Sequence, residues 1–304
     1  MYHKPVLIKP TIQMLSIKEG GVYCDLTLGD GGYTKKILEH SKNTKVYGFD
    51  KDKYQIQRAK KRLSRFKDRV KYINADFANF RSDLALFKVA KVDGILLDLG
   101  VSTRQISKAS LGFSYMKDGP LDMRMDQTNP LTAKQIIADY PLPILVGMLK
   151  KYGQEPKARR VAVQIVKARQ ISPIKTTFDL NRCIEKVSKD IKTKARVYQA
   201  IRITVNGELE SLQRVLKEAP YALKPKARIL AISYHSGEDR IVKHTFRFAQ
   251  KTCICPPEFP KCVCNKQKTL TLLTKKPIKP SIYEIETNPK ARSAKLRVAQ
   301  KETK

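Results

Sequence analysis

A glycine-rich segment in the first part of the chain has the residue types of a nucleotide-binding turn. Residues 22–33 read Val-Tyr-Cys-Asp-Leu-Thr-Leu-Gly-Asp-Gly-Gly-Tyr, a strand-like run that passes into glycines. Gly29, Gly31 and Gly32 allow positive φ and a close approach of a ligand to the backbone. Asp50 ends the next β-like run, where a carboxylate accepts hydrogen bonds from ribose hydroxyls. The segment therefore predicts a nucleotide-type cofactor.

The charge of this segment favours a cationic cofactor. Asp25 and Asp30 would repel the pyrophosphate of a dinucleotide but attract S-adenosylmethionine, which carries an ammonium and a sulfonium. The glycine spacing also departs from the G-x-G-x-x-G pattern of dinucleotide-binding folds. We therefore expect a methyl donor rather than NAD. The alternative for Asp30 is a solvated turn residue with no ligand.

Further candidate side chains follow the later β-like runs. Asp76 and Phe77 come after the third run and Asp98 after the fourth, at the edge where ligands lie in an open α/β sheet. Phe77 is placed to stack on an adenine ring, and the alternative is a packed core residue. His235 ends the fifth run and should face the same cleft.

The elements that position these residues alternate in type along the first hundred residues. We predict strands at 22–28, 45–49, 70–73, 92–97, 228–234, 269–273 and 295–299. Helical patterns cover 34–40, 54–66, 133–140, 142–151, 159–169, 178–189, 208–217 and 239–250. Alternating strands and helices predict a parallel sheet with crossover helices. The fold class is therefore α/β, with a discontinuous nucleotide-binding domain over 1–102 and 216–304 and a helical insertion over 103–215.

The net charge favours a polyanionic partner. The chain of 304 residues has 61 Lys and Arg against 28 Asp and Glu, a formal charge of +33. Residues 150–202 hold 15 basic and 4 acidic side chains, and residues 240–304 hold 16 and 4. Such a field attracts nucleic acid, with a merely solubilising surface as the alternative. The sequence shows neither a signal peptide nor an apolar run that spans a bilayer, so we expect a cytoplasmic protein without a membrane partner.

Four of the six cysteines form a tight cluster. Cys253, Cys255, Cys262 and Cys264 have C-x-C-x6-C-x-C spacing, whereas Cys24 and Cys183 lie in apolar runs. Four thiolates suit tetrahedral zinc, and a cytosolic location disfavours disulfides. Because C-x-C is tighter than the usual C-x2-C pair, we favour an unmetallated Pro-rich loop over a zinc site.

A longer motif is specific to one family. Residues 112–126 read Gly-Phe-Ser-Tyr-Met-Lys-Asp-Gly-Pro-Leu-Asp-Met-Arg-Met-Asp, which resembles the signature loop of the RsmH (MraW) family of bacterial 16S ribosomal RNA (cytosine-N4) methyltransferases. Matching segments occur in family order at 3–7, 93–102, 199–203, 205–209, 233–243 and 288–293. The resemblance therefore covers nearly the whole chain.

The resemblance implies a class I, Rossmann-like S-adenosylmethionine methyltransferase sheet with an inserted helical substrate-recognition domain. It implies N4-methylation of a cytosine in the decoding region of 16S rRNA, with the small ribosomal subunit as partner. A homodimer is left open. The cofactor-binding positions carried over are Gly31, Gly32, Tyr33, Asp50, Phe77, Asp98 and Gln105. Tyr33 departs from the family, which usually has histidine there, so only a backbone contact transfers at that position.

The implied reaction needs a group that polarises a weakly nucleophilic amine. Asp98 is the first candidate and His235 the second. The alternative for His235 is a structural place beside a helix capping box formed by Ser236 and Asp239. The candidates for RNA contact are basic or amide side chains, each with an ordinary structural partner as the alternative: Arg124, Arg202, Asn206, Arg240, Lys243 and Arg292.

Two other functions compete with this one. A DNA amino-methyltransferase would carry the (Asp/Asn)-Pro-Pro-(Tyr/Phe) motif, which the sequence lacks. A non-catalytic ribosome-assembly factor would show a ruined glycine turn or a lost Asp50, and both are intact. We therefore predict an rRNA methyltransferase.

Overall fold

The computed structural model describes residues 4–303 and divides them into two compact units. The first unit runs to Gly100 and resumes at Leu209, and the second is Val101–Glu208. His3, the first residue of one family-like segment, lies outside the described residues. The domain boundaries that we predicted, 102/103 and 215/216, lie near these two joins. The second predicted boundary falls inside a helix that the structure places at Glu208–Ala222.

The first unit contains one seven-stranded sheet. Its strands are β1 (Val22–Asp25), β2 (Lys45–Phe49), β3 (Val70–Ile73), β4 (Val92–Asp98), β5 (Leu223–Ser233), β6 (Leu270–Leu272) and β7 (Lys295–Lys301). The strand order is β3-β2-β1-β4-β5-β7-β6. Strands β1 to β5 are parallel, and β7 runs antiparallel to both β5 and β6. All seven predicted strands are present.

The helices of the chain include several that the sequence patterns did not indicate. In chain order they are α1 (Ile8–Leu15), α2 (Gly32–His40), α3 (Lys53–Arg62), α4 (Phe80–Ala85), α5 (Thr103–Ser107), α6 (Ala133–Asp139), α7 (Leu142–Lys151), α8 (Ala158–Ile171), α9 (Thr177–Glu185), α10 (Ile191–Asn206), α11 (Glu208–Ala222), α12 (Ser236–Gln250) and α13 (Ile282–Thr287). Helices α1, α4, α5, α10 and α13 were not predicted. Within the described residues, no helix has the length and apolar character needed to cross a membrane.

The sheet has an apolar core on each face. Alternate side chains of a strand point to opposite faces, so Ile95 and Leu97 of β4 enter one core while Leu96 enters the other. All three are fully buried, and each contributes about 1.5–3 kcal/mol of apolar burial. The almost continuous apolar run of β4 therefore fits its place at the centre of a parallel sheet.

The second unit is a helical bundle with its own core. Leu145, Val161, Leu180 and Ile201 come from four different helices and are fully buried together. Part of the family-like loop closes onto this core, because Met123 is completely buried. The inserted segment is therefore helical, as predicted. Its role in substrate recognition stays a prediction.

Candidate active site

The glycine turn that follows β1 has one crowded side and one open side. Gly31 has φ +81° and caps α2, and a Cβ there would lie 2.8 Å from Leu63 Cδ1. A Cβ on Gly32 would lie 2.5 Å from Pro5 Cγ. Gly29 also has positive φ, 53°, but a Cβ there would meet only the Thr27 carbonyl oxygen, at 3.9 Å. Packing thus requires Gly31 and Gly32, and the open approach for a ligand is at Gly29.

Asp25 ends β1 and serves the first turn of α2. It is completely buried, and its Oδ2 accepts a hydrogen bond of 2.7 Å from the Thr34 hydroxyl. Burial raises the pKa of this carboxyl to about 6, against the hydrogen bonds from Thr34 and Thr27 that lower it. A carboxylate at a helix N-terminus is stabilised by the helix dipole. Asp25 therefore adds negative potential beneath the glycine turn.

Asp30, the other acidic residue of the turn, is partnered by arginine. Arg62 Nη1 donates to Asp30 Oδ1, and Arg58 Nη2 lies 4.0 Å from Oδ2. These two side chains come from α3, which packs beside the turn. Asp30 is therefore not the solvated residue of the alternative interpretation. Because arginine already balances its charge, the cofactor-charge argument rests on Asp25 and the strand-end aspartates.

Asp50 follows β2 and ties the glycine turn to that strand. Its Oδ2 accepts from the Gly29 backbone N–H at 2.8 Å, and its Oδ1 accepts from the Asp52 N–H at 2.8 Å. Burial raises the pKa of Asp50 to about 7 although both hydrogen bonds lower it. A carboxylate has about four acceptor sites, so each oxygen keeps capacity for a ligand hydroxyl. The geometry suits a bidentate contact with a ribose.

Asp98 ends β4 and is bound to a tyrosine. The Tyr234 hydroxyl donates to Asp98 Oδ1 at 2.7 Å, and the Asp98 N–H donates to Thr27 Oγ1 at 2.6 Å. Burial raises the pKa of Asp98 to about 7, partly offset by the Tyr234 hydrogen bond, and the nearby charge of Asp25 raises it further. The Asp98 carboxyl is thus held by Tyr234 and has a pKa close to neutral pH.

Asp76 and Phe77 follow β3. Asp76 Oδ2 accepts from Lys51 Nζ at 2.8 Å and from Ser211 Oγ at 2.8 Å. Burial raises the pKa of Asp76, but Lys51 and the hydrogen bonds outweigh that effect and lower it overall. Phe77 is half-buried against one core of the sheet, with Lys51 Nζ 6.0 Å from its ring centroid. The exposed part of Phe77 is the part available to a cofactor ring.

Tyr33 replaces the family's usual histidine with a packed side chain. It is buried, and its hydroxyl donates to the Val6 carbonyl. Burial raises the pKa of this phenol well above its ordinary value, and the charge of Asp98 raises it further. The side chain is therefore a neutral group that ties the N-terminal segment to α2 through its hydroxyl.

His235 is itself the N-cap of α12. Its Nδ1 accepts from the N–H groups of Gly237 (3.2 Å) and Glu238 (3.4 Å), and Glu238 Oε2 accepts from the His235 N–H at 3.3 Å. The capping box is thus His235 with Glu238, one residue earlier than the Ser236 and Asp239 pair that we predicted. Because Nδ1 is an acceptor, the ring proton is assigned to Nε2. That atom lies 3.2 Å from Glu238 Oε1, without the alignment of a hydrogen bond.

Four predicted site residues belong to the helical unit. Gln105 is buried and forms a capping box with Ser102 at the start of α5. Arg124 donates to both carboxylate oxygens of Asp122, at 3.0 and 2.8 Å, and to the carbonyls of residues 127 and 129. Such a guanidinium has most of its donors occupied by protein.

Arg202 and Asn206 are likewise held within this unit. Arg202 Nε and Nη2 donate to the two oxygens of Glu208, at 2.8 and 2.9 Å. Asn206 is buried, donates to the Met123 carbonyl at 2.8 Å and accepts from the Met125 N–H at 2.8 Å. The family-like segments around residues 118–126 and 199–209 are therefore joined by these polar contacts.

The remaining candidates for RNA contact lie at the surface of the sheet unit. Arg240 and Arg292 are exposed, and Lys243 is half-buried. Two exposed residues that we did not single out, His244 and Arg247, share the helix face of Arg240, because residues 3, 4 and 7 apart lie on one side. That spacing was available in the sequence.

The structure brings the strand-end residues of the sheet unit together. Leu26 N–H donates to the Leu96 carbonyl and Leu28 N–H to the Phe49 carbonyl, both across strand ends. With the Asp50 and Asp98 contacts, these bonds join the carboxyl ends of β1, β2 and β4. Tyr234 is the site residue that the sequence pattern gave no reason to select, since its partner is 136 positions away.

In the strand order, the antiparallel β7 is inserted beside β5. An acidic turn lies at the carboxyl ends of β1, β2 and β4. Together these features define a class I, Rossmann-like, S-adenosylmethionine-dependent methyltransferase fold. The predicted fold class is thereby confirmed. The chain belongs to the MraW methylase family, whose family model matches residues 1–302. This confirms the resemblance found in the sequence.

Curated relatives support the same assignment. The chain is 44% identical over 306 residues to Ribosomal RNA small subunit methyltransferase H of Finegoldia magna, with 98% of each chain covered. It is 44% identical over 306 residues to the protein of the same name in Halothermothrix orenii, again with 98% of each chain covered. For the Carboxydothermus hydrogenoformans protein of that name, identity is 45% over 307 residues, covering 98% of this chain and 97% of that one.

Proposed function

We propose that this methyltransferase uses S-adenosylmethionine to methylate N4 of a cytosine in the decoding region of 16S ribosomal RNA. The observation that carries the proposal is the family match over residues 1–302, joined to two carboxylates of raised pKa at the carboxyl ends of β2 and β4. The names of the relatives support a substrate in small-subunit rRNA. The base and the atom rest on the family resemblance. A cytoplasmic location accompanies a ribosomal substrate.

The residues at the sheet edge fit the cofactor. Asp50 keeps acceptor capacity on both oxygens for ribose hydroxyls. The open side of the turn at Gly29 admits a ligand beside the backbone, and Phe77 offers an aromatic surface. When bound, S-adenosylmethionine supplies an electrophilic methyl group on a sulfonium. The buried negative charge of Asp25 suits that cation.

Asp98 is the residue to which we assign the catalytic contact. The exocyclic amine of cytosine is a weak nucleophile because its lone pair is delocalised into the ring, so orientation and N–H polarisation must raise its reactivity. Tyr234 fixes the Asp98 carboxyl through a 2.7 Å hydrogen bond. A pKa of about 7 lets the carboxylate accept a proton from the amine near neutral pH.

We give His235, the second catalytic candidate, a positioning role. Glu238 Oε2 accepts from the N–H groups of both Tyr234 (2.8 Å) and His235 (3.3 Å). The cap therefore orients the turn that carries Tyr234, and through Tyr234 it orients Asp98. Nδ1 of His235 is occupied by the cap N–H groups, and Nε2 lies 3.2 Å from Glu238 Oε1.

For RNA, we assign phosphate contacts to three basic residues of the sheet unit, the exposed Arg240 and Arg292 and the half-buried Lys243. Their side chains retain donors for a polyanion, and each released counterion adds salt-dependent affinity. The polar contacts of Arg124, Arg202 and Asn206 give them a framework role in the helical unit, which we propose as the substrate-recognition insertion. Gln105 stays a proposed cofactor residue.

The test is methyl transfer to ribosomal particles of known modification. Labelled S-adenosylmethionine is offered to small subunits, and separately to free 16S rRNA, from a strain that lacks this activity. Mass mapping should find one methyl group on N4 of a decoding-region cytosine, and Asp98→Asn should abolish the transfer even at cofactor concentrations that saturate the variant. Binding to subunits without transfer would instead indicate an assembly factor. Transfer to another base would overturn the specificity. Sedimentation of the same samples distinguishes monomer from homodimer.

A further inference from the structure

The four clustered cysteines converge on one point. They lie in the segment between α12 and β6, and the four Sγ atoms are all within 4.8 Å of one another. Cys262 Sγ is 3.6 Å from Cys264 Sγ, which is 3.9 Å from Cys253 Sγ. Four sulfurs at Zn–S distances of about 2.3 Å form a tetrahedron with edges of roughly 3.8 Å. The separations of 3.6 and 3.9 Å match those edges.

The tight C-x-C spacing does not prevent this convergence. Alternate residues of an extended segment point to the same side, so both sulfurs of each pair face inward. The intervening residues Ile254 and Val263 point outward, with exposures of 47% and 69%. Our expectation of an unmetallated loop, which rested on this spacing, therefore loses its basis.

Backbone N–H groups surround the sulfurs. The Ile254 N–H donates to Cys264 Sγ, the Cys255 N–H to Cys253 Sγ and the Val263 N–H to Cys255 Sγ, each at 3.3 Å. Hydrogen bonds of this kind orient metal-bound thiolates and disperse their negative charge. The crossed donation, in which each cysteine pair receives an N–H from the other, holds the two pairs face to face.

The segment has no apolar core of its own to account for its order. Phe259 is 53% exposed, as are parts of Ile254 and Val263. Ordered loops of this length without helices or strands are uncommon and need another constraint. The segment is closed at its base, where the Thr269 N–H donates to the Ala249 carbonyl at 2.9 Å. The convergent sulfurs are the contact that organises its tip.

We propose that Cys253, Cys255, Cys262 and Cys264 bind one zinc ion as a tetrathiolate site that folds this segment. Disulfides do not fit, because all four cysteines are free and Cys262 Sγ lies 3.6 Å from Cys264 Sγ, whereas an S–S bond is about 2.05 Å. Binding releases the thiol protons and leaves a complex of net charge −2, which the lysines of the segment offset: Lys251, Lys261, Lys266 and Lys268. The site is structural, since all four positions around the metal are filled by protein.

Metal content of the full-length protein tests the proposal directly. Protein purified under reducing conditions without chelator should contain about one equivalent of zinc by elemental analysis. Cys253→Ser and Cys264→Ser should each lose most of it. Val263→Ser, in the same segment with all thiols kept, is the matched control and should retain it. After chelator removes the zinc, added cobalt should give the absorption of a tetrahedral tetrathiolate complex.

A second measurement tests whether the metal folds the segment. Chelation should speed tryptic cleavage after Lys261 by about tenfold or more, and added zinc should restore protection. Zinc below about a tenth of an equivalent, with no cobalt spectrum, would overturn the site. Iron at full stoichiometry would overturn its assignment to zinc. Equal cleavage of the zinc-loaded and chelated proteins would overturn the folding role.

Discussion

Cofactor affinity should depend steeply on pH just below neutrality. Asp50 and Asp98 each have a pKa raised by burial to about 7 in the unliganded protein. Under the proposed function the cofactor binds to both as carboxylates, with Asp50 accepting hydrogen bonds from ribose hydroxyls and Asp98 lying beside a cation. A carboxyl of raised pKa is protonated below that value and ionised above it. At lower pH, protonation of these carboxyls competes with cofactor binding, and the dissociation constant of the cofactor must rise.

The size of the effect follows from the two pKa values. A carboxyl with a pKa of about 7 is about 50% ionised at pH 7 and about 9% ionised at pH 6. If the bound state keeps both groups ionised, each contributes about a 5-fold loss, and together they weaken binding about 30-fold. Asp98→Asn removes one titrating group, so its binding should weaken only about 5-fold across the same range.

Calorimetric titration with S-adenosylmethionine at pH 6 and pH 7 measures both slopes. The range lies below the usual α-amino pKa of about 7.7–8.0, so the ligand stays mostly cationic. Asp68→Asn, at an exposed carboxylate outside the site, is the matched control and should keep the full 30-fold dependence, to within about 2-fold. A wild-type dissociation constant that is the same at both pH values would refute the assignment of Asp50 and Asp98 to the cofactor.

Three further predictions concern packing, the cap and RNA. Gly32→Ala should lower the free energy of unfolding by about 1–3 kcal/mol in denaturant titrations, because its Cβ would meet Pro5 at 2.5 Å. Gly147→Ala, with nothing within 4 Å, should be neutral or stabilising by up to about 1 kcal/mol. His235→Ala should lower the free energy of unfolding by about 0.5–2 kcal/mol, because the N-cap is lost. His235→Asn should keep both the cap and methyl transfer. If His235→Asn lost turnover while it still bound the cofactor, the imidazole would be catalytic. Arg240→Ala should reduce the salt dependence of RNA binding by about one unit of slope. Arg124→Ala should instead destabilise the helical unit, and an unchanged slope for Arg240→Ala would remove that residue from the interface.

The strands were predictable because burial on both faces leaves a strong sequence signal. β2 and β3 match their predicted bounds residue for residue, since each is a short β-branched or aromatic run between turn residues. Helix α10 was missed because Lys192, Lys194 and Arg196 interrupt its apolar pattern near the start. Its stability comes from the core of the helical unit, where Val197 and Ile201 are fully buried, and tertiary packing of this kind is not a local signal.

The RNA-binding candidates show a different limit. Arg124, Arg202 and Arg240 have the same donors and the same charge in the sequence. In the structure the first two hold carboxylates in bidentate pairs, whereas Arg240 is exposed on α12. Their partners Asp122 and Glu208 are only two and six positions away in the sequence. An acidic residue close in the sequence therefore indicated that these two arginines form internal ion pairs. The helical periodicity of α12 places Arg247 on the same face as Arg240, and it would have added Arg247 to the candidates for RNA contact.

Four aspartates near strand or helix ends differ in their partners, and that difference distinguishes the candidate site from the other two positions. Asp76 has Lys51 as partner and Asp239 has Arg297, and the net effect in each case is a lowered pKa despite burial. Within residues 4–303, neither Asp50 nor Asp98 forms an ion pair with lysine or arginine, and burial raises the pKa of both. An unneutralised buried carboxyl costs folding free energy, which selection tolerates where a ligand supplies the missing charge. The sequence marks all four as aspartates near strand or helix ends, and only the tertiary contacts show which two have no basic partner within residues 4–303.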